Sequence, residues 1–150
     1  MTALITIDSK GLAALLKDLG ERIEKGFDSK KAVAESARLV ASLIKRRTRA
    51  GLDADLRPFT PYKRGKKGGR VDLDASGELR DAIEVRVVSD TLAVVGIFDP
   101  VQQRKAIVHQ LGLGRMPVRR FFGVSRSDVD TLSAIERIFV KELNKAAGKV

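Results

Sequence analysis

The chain has no cysteine. That excludes disulfides, thiolate nucleophiles and zinc–cysteine sites, and it is compatible with a reducing compartment. It has a single histidine, His109. A zinc site draws three or four ligands, commonly His or Cys, and one such residue cannot supply them. A general base also needs an orienting partner and a reacting group. No Ser lies in a recognisable nucleophile motif, so His109 beside Gln110 reads as a structural hydrogen-bonding residue. No apolar run is long enough to span a membrane. The opening "MTALITIDSKG" lacks a basic segment followed by a long apolar core, so no signal peptide is expected.

Two glycine-rich stretches fail as phosphate loops. In "GLGRMP" (112–117), Pro117 stands where a dinucleotide fingerprint has its third glycine, and an extended run follows instead of a helix. In "RGKKGGR" (64–70), Lys67 follows Lys66 where a Walker loop needs Ser or Thr for magnesium. Asp72, Asp74 and Glu78 are the only acidic cluster, with too few oxygens at set spacing for a calcium loop. They read as capping and charge balance. No catalytic, cofactor or metal set survives.

Positive charge is what the sequence does have. The 150 residues carry a formal net charge of +10, 43% hydrophobic and 32% charged residues. This is the composition of one folded domain, 1–150, with an anionic partner in prospect. Six basic residues fall between positions 57 and 70 without an acid: Arg57, Lys63, Arg64, Lys66, Lys67 and Arg70. They make a candidate basic patch facing an anion or DNA, supplemented by 45–49. Phe59 and Tyr62 are the only aromatics near enough to stack on bases. The equal alternative is an arm ordered by a neighbouring subunit.

Periodicity predicts an α+β fold. Residues 4–7 read as a short strand. Ser9 caps a helix carrying Leu12, Leu15, Leu16, Leu19 and Ile23 on one face. A second helix begins near Asp28 or Ser29, with Val33, Ala37, Val40, Leu43 and Ile44 inward, and ends at Gly51. Residues 52–76 form a long loop, mobile in part, with poor core-forming capacity. Ser76-Gly77 opens a helical turn. Ile83, Val85 and Val87 alternate with Glu84 and Arg86, and 92–98 forms a more buried partner strand, giving a small antiparallel sheet. Asp99-Pro100 breaks it, and 101–110 are helical. Ser127 caps a last helix whose face is Val129, Leu132, Ile135, Ile138, Phe139 and Leu143, packed on the sheet.

Pro117 makes "PVRRFFGV" extended. Side chains then alternate, so one of Phe121 and Phe122 enters the core and the other faces out between Arg119 and Arg120. Aromatic residues and arginine are the chemistry of interface hot spots. Phe59, Tyr62, Arg119, Arg120, Phe121 and Phe122 are therefore the candidate subunit interface.

Read together, "FTPYK" (59–63), "LDASGELRDAI" (73–83), "VVGIF" (94–98) and "HQLGLGRMPVRRFFGVSRSD" (109–128) resemble the phage virion morphogenesis, or tail completion, proteins of Mu-like tailed phages and prophages. That family carries a Leu-x-x-[Thr/Ser]-Gly-x-Leu segment, matched by Leu73, Ser76, Gly77 and Leu79. It then has His-Gln-x-Gly, matched by His109, Gln110 and Gly112. The third element, Pro-x-Arg-x-Phe-x-Gly-x-Ser before a final helix, is matched by Pro117, Arg119, Phe121, Gly123, Ser125 and Asp128. The resemblance spans roughly 30–145, and its strength is the ordered set. Phe59 departs from a common Trp, and Ser76 from the more frequent Thr.

The resemblance implies a structural virion protein of the neck or head-proximal tail end. It implies self-assembly into a ring, commonly a hexamer, between tail-terminator or connector proteins, around the path of the packaged DNA. No membrane, cofactor or catalysis is implied. A nucleic-acid-binding domain using 57–70 is the alternative from a different class, and a soluble enzyme stands last.

Overall fold

The computed structural model describes residues 4–8, 26–61, 73, 76–125 and 128–148. The expected helix over 12–23, with its Ser9 cap, lies outside the described residues. So does most of the basic loop: Tyr62, Lys63, Arg64, Lys66, Lys67 and Arg70.

In chain order the elements are β1 (Leu4–Asp8), α1 (Ser29–Arg49), α2 (Glu78–Asp81), β2 (Ile83–Ser89), β3 (Leu92–Ile97), α3 (Pro100–Leu111) and α4 (Val129–Ala146). The sheet is antiparallel with order β1-β3-β2. β3 sits between two neighbours, so it is the most buried strand: Ala93, Val95 and Ile97 are each 2% exposed or less. These three alternate along the strand and form one face. β2 contributes Ile83 and Val85 in register with Ile97 and Val95. The pairing slips between Val87 and Ser89. Beyond that bulge the alternation fails, and Val87 and Val88 both lie exposed, so Val87 does not join the inner face as the sequence suggested. On the outer face, the Arg86 guanidinium lies 3.5 Å from the Phe98 ring centroid.

α1 is the hub of the fold. Asp28 caps it by accepting from the Lys31 N–H at 2.8 Å, and Arg46, Arg47 and Arg49 complement the dipole in its last turn. Gly51 follows with φ 77, the left-handed conformation that stops a helix. Ala32, Val33, Ala37, Val40 and Ile44 are all 1% exposed or less. So much of a helix is buried because it is covered twice, by the sheet on one side and by α4 on the other. Small alanines on both sides allow the close approach.

The last helix therefore does not pack on the sheet. It packs on α1, which lies between the two. Its cap is Asp128, not Ser127: the carboxylate accepts from the Thr131 N–H at 3.0 Å. Its buried face keeps Ile135, Ile138 and Phe139 of the expected stripe and departs from it at the N-terminal end of the helix. Phe139 is buried and stacks with Phe27 at 6.3 Å, and Ile135 and Ile138 pack against the core. Val129 and Leu132 are 65% and 47% exposed. Thr131 is the buried residue there instead, and near the C-terminal end of the helix Glu142 is buried too, bonded by Lys31 Nζ at 2.6 Å. That bond holds the lysine charged and raises its pKa above the usual 10.5.

Candidate functional site

The residues singled out by sequence converge on the segment after α3. Asp99 caps this helix through the Gln102 N–H, and Pro100 occupies its first turn. Gly112 ends it with φ 67. A Cβ at Gly112 would meet Val118 Cγ2 at 2.6 Å and Val118 N at 2.9 Å. Glycine is therefore required twice over, for its conformation and for the close return of the chain. Gly112 and Gly114, both with φ 67, turn the chain so that 117–123 runs back beside α3.

Seven hydrogen bonds fasten this return. The Arg119 N–H donates to the His109 carbonyl at 2.7 Å. Arg119 Nη1 donates to His109 Nδ1 at 3.3 Å, and Arg119 Nε donates to the Thr60 carbonyl at 3.0 Å. Gln110 acts as a surrogate strand. Its Nε2 donates to the Phe122 carbonyl and its Oε1 accepts from the Phe122 N–H, both at 3.1 Å. From the other side, Arg47 Nη2 donates to the carbonyls of Phe121 at 2.9 Å and Gly123 at 2.6 Å. Arg119 and Arg47 are 1% and 3% exposed. Each buried guanidinium thus has main-chain oxygens to bond, which offsets part of the cost of burying it, although Nε and Nη1 of Arg47 are buried without a partner.

This arrangement answers what His109 does. Arg119 can only donate, so His109 Nδ1 accepts, and the ring carries its proton on Nε2. Burial, then the Arg119 charge, hold the imidazole below its ordinary 6.5. The ring is thus neutral at pH 7 and engaged with an arginine. Among the described residues no carboxylate is hydrogen-bonded to it.

The same geometry corrects the interface assignment. Neither Phe121 nor Phe122 faces out: they are 0% and 6% exposed, in edge-to-face contact at 6.1 Å. The alternation rule fails because the Phe121 N–H donates to the Arg119 carbonyl at 2.8 Å, a three-residue turn that breaks the extended run. Phe59 is also buried, at 5% exposure, and Arg119 is internal. Of the six proposed interface residues, only Arg120 is exposed among those described, while Tyr62 lies outside them.

The start of the basic loop is likewise more ordered than its composition suggests. Leu52 bridges Pro58, and Asp53 Oδ1 accepts from the N–H groups of Asp55 and Arg57. The Phe59 N–H donates to the Gly51 carbonyl, and the Ala54 N–H to the Arg120 carbonyl. Phe59 is the plug that anchors 52–61 to the core, a role its polar surroundings concealed. Arg57 is exposed.

The remaining motif residues also serve the fold. Leu79 and Leu73 are buried in the core, and Gly77, with φ 79, starts α2 without a side-chain cap. Ser76 is exposed. Glu78 reaches across to α3, accepting from Lys105 at 3.0 Å and Gln102 at 3.3 Å, and these bonds lower its pKa.

Sequence reasoning missed Arg47. It sits in the run "KRRTR", where it passes for one more dipole-complementing cation. Only its position on the inward face of α1, three residues after Ile44, marks it as internal.

Protonation of His109 has a thermodynamic consequence. Its folded pKa is depressed, so on acidification the unfolded chain takes up a proton at about 6.5 that the folded chain refuses. Stability is fully present above that pH. It falls progressively below it, until the lower folded pKa is reached. Urea titrations from pH 7.5 to 5 should show this loss. His109→Gln, which keeps an acceptor for Arg119, should lack that part of the slope.

Among the described residues no group of three or more His, Asp or Glu is placed to hold a metal ion. Comparison with protein-family models, curated proteins and solved structures finds no match to the chain.

Proposed function

We propose that the chain is a structural component of the virion of a tailed phage, at the neck or head-proximal end of the tail. It completes the tail and joins it to the head as one subunit of a ring, and it catalyses no reaction. The observation that carries this reading is the clasp. His109, Gln110, Gly112, Arg119, Phe121 and Gly123, the residues that gave the ordered family resemblance, meet in one place. Each is used there to hold main chain, which supports reading the motif set as a fold determinant.

A ring grown by head-to-tail contacts needs two different complementary patches per subunit. Its partners are copies of itself, commonly six, with tail-terminator or connector proteins above and below. The +10 net charge suits a position around packaged DNA or against acidic neighbours.

Negative-stain micrographs of the purified chain, alone or added to isolated tails or connectors, should show annuli of uniform diameter. A chain that stays monomeric at every concentration and joins neither structure contradicts the proposal. DNA affinity that falls steeply with salt, with no assembly, would favour the nucleic-acid-binding alternative.

A further inference from the structure

The outer face of α4 carries charge that the fold does not use. Arg137, Lys141 and Lys145 recur every four residues, and all three are exposed. At 1.5 Å per residue they form a row about 12 Å long on one side of the helix. With Val140, Asn144 and Lys31 they line an open groove of about 630 Å³ between α4 and the start of α1. The one carboxylate in its lining, Glu142, is 1% exposed and taken by Lys31. Glu35 and Asp28 also act on Lys31, so that lysine is already engaged. Asp130 and Glu136, the other acids of α4, do not line the groove. None of Arg137, Lys141 and Lys145 makes an ion pair with a described acid.

Helix stability does not account for this row. Lys145 lies in the last turn, where a cation complements the dipole. Arg137 lies more than two turns before the end at Ala146, outside the reach of that effect. Like charges four residues apart destabilise a helix. The row therefore opposes the element that carries it.

The composition of the groove selects among anionic partners. It has no aromatic lining residue, and its one exposed apolar side chain is Val140, at 44%. Protein–protein interfaces are enriched in aromatic residues and depleted in lysine. Single-stranded nucleic acid is held by bases stacked on aromatic rings. Neither chemistry is present on this face. Two lysines and an arginine, with the Asn144 amide among them, suit phosphate oxygens. At one phosphate per about 1.7 Å of duplex axis, a 12 Å row runs beside about seven of them. We infer that the α4 groove is a docking surface for the phosphate backbone of double-stranded DNA, bound through Arg137, Lys141 and Lys145 without regard to base sequence. It uses none of the basic residues between 57 and 70. This deepens the ring reading above and rests on it for the source of the duplex, the packaged DNA.

The test titrates a labelled duplex of about 30 base pairs with the full chain, followed by anisotropy from about 20 to 200 mM salt. The chain with Arg137→Gln, Lys141→Gln and Lys145→Gln should bind at least tenfold more weakly at the low-salt end. Its slope of log K against log salt should be shallower by about 2.7, the share of three phosphate contacts. Its thermal melt should match the parent's, since all three side chains are exposed. Removing the same charge elsewhere, by Lys63→Gln, Arg64→Gln and Lys66→Gln, should leave most of the affinity. Parent affinity and slope in the α4 variant overturn the inference. Equal losses in the two variants also overturn it, because net charge alone would then explain binding. A parent that ignores the duplex at low salt but binds polyglutamate overturns it in favour of an acidic protein neighbour. If that parent forms annuli, the ring reading stands without the groove. Duplex binding that the α4 variant loses, from a chain that never assembles alone or on tails and connectors, upholds the groove and overturns the ring.

Discussion

Arg119→Ala should lower stability by about 3–5 kcal/mol, which for a domain of this size corresponds to a fall in Tm on the order of 10 °C. The side chain is 1% exposed and bonds the Thr60 carbonyl and His109. Truncation removes a large buried volume and leaves the Thr60 oxygen without that donor. It also frees the 52–61 turn from the return segment at one of its two anchors. Arg119→Lys should not rescue the loss, since an ammonium cannot reach two acceptors in the plane that a guanidinium spans. Thermal melts followed by circular dichroism read this directly. A variant melting within about 2 °C of the parent would mean that the clasp contributes little.

Phe121→Ala should cost a comparable amount, about 3–5 kcal/mol. Phe121 is 0% exposed and packs edge-to-face on Phe122, in the cluster that includes Ile44, Val95 and Phe139. Its carbonyl also holds Arg47. The neighbouring Arg120 is exposed, so Arg120→Ala should stay within about 0.5 kcal/mol. Urea midpoints for the pair decide whether this segment belongs to the core or to an interface. If Phe121→Ala left stability intact and impaired assembly alone, the segment would be an interface after all.

What was legible in the sequence was local. Asp28 and Gly51 announce the ends of α1, because capping and left-handed turns are written in single residues, whereas Asp99-Pro100 read only as the end of the preceding strand and Gly112 as a motif glycine, and the structure shows that they bound α3. The alternation of Ile83 and Val85, and the more continuous apolar run 92–97, announce a paired sheet. What was not legible depended on contacts far apart in the chain. The sequence of α4 shows an apolar stripe, but not that the stripe meets α1 instead of the sheet. Phe121 and Phe122 look like an alternating pair until the turn from Arg119 places both inside. Phe59 looks stranded in a polar loop until Gly51 and Thr60 are seen to tie that loop down.

The candidate site divides in the same way. His109, Gln110 and Gly112 were found as motif residues with no visible chemistry, and the structure gives them mechanical work: accepting from Arg119, pairing with Phe122 and making room for Val118. Arg47 was invisible as a partner because its bonds, to Phe121 and Gly123, cross more than seventy residues.

The central claim is that the chain joins head to tail. Deletion of this gene from the genome that carries it, with electron micrographs of the phage lysates that the parent and the deletion strain yield, tests it most directly. The account predicts filled heads and separate tails, with joined particles restored by the gene supplied in trans. Joined, infectious particles at parental numbers from the deletion strain would contradict it.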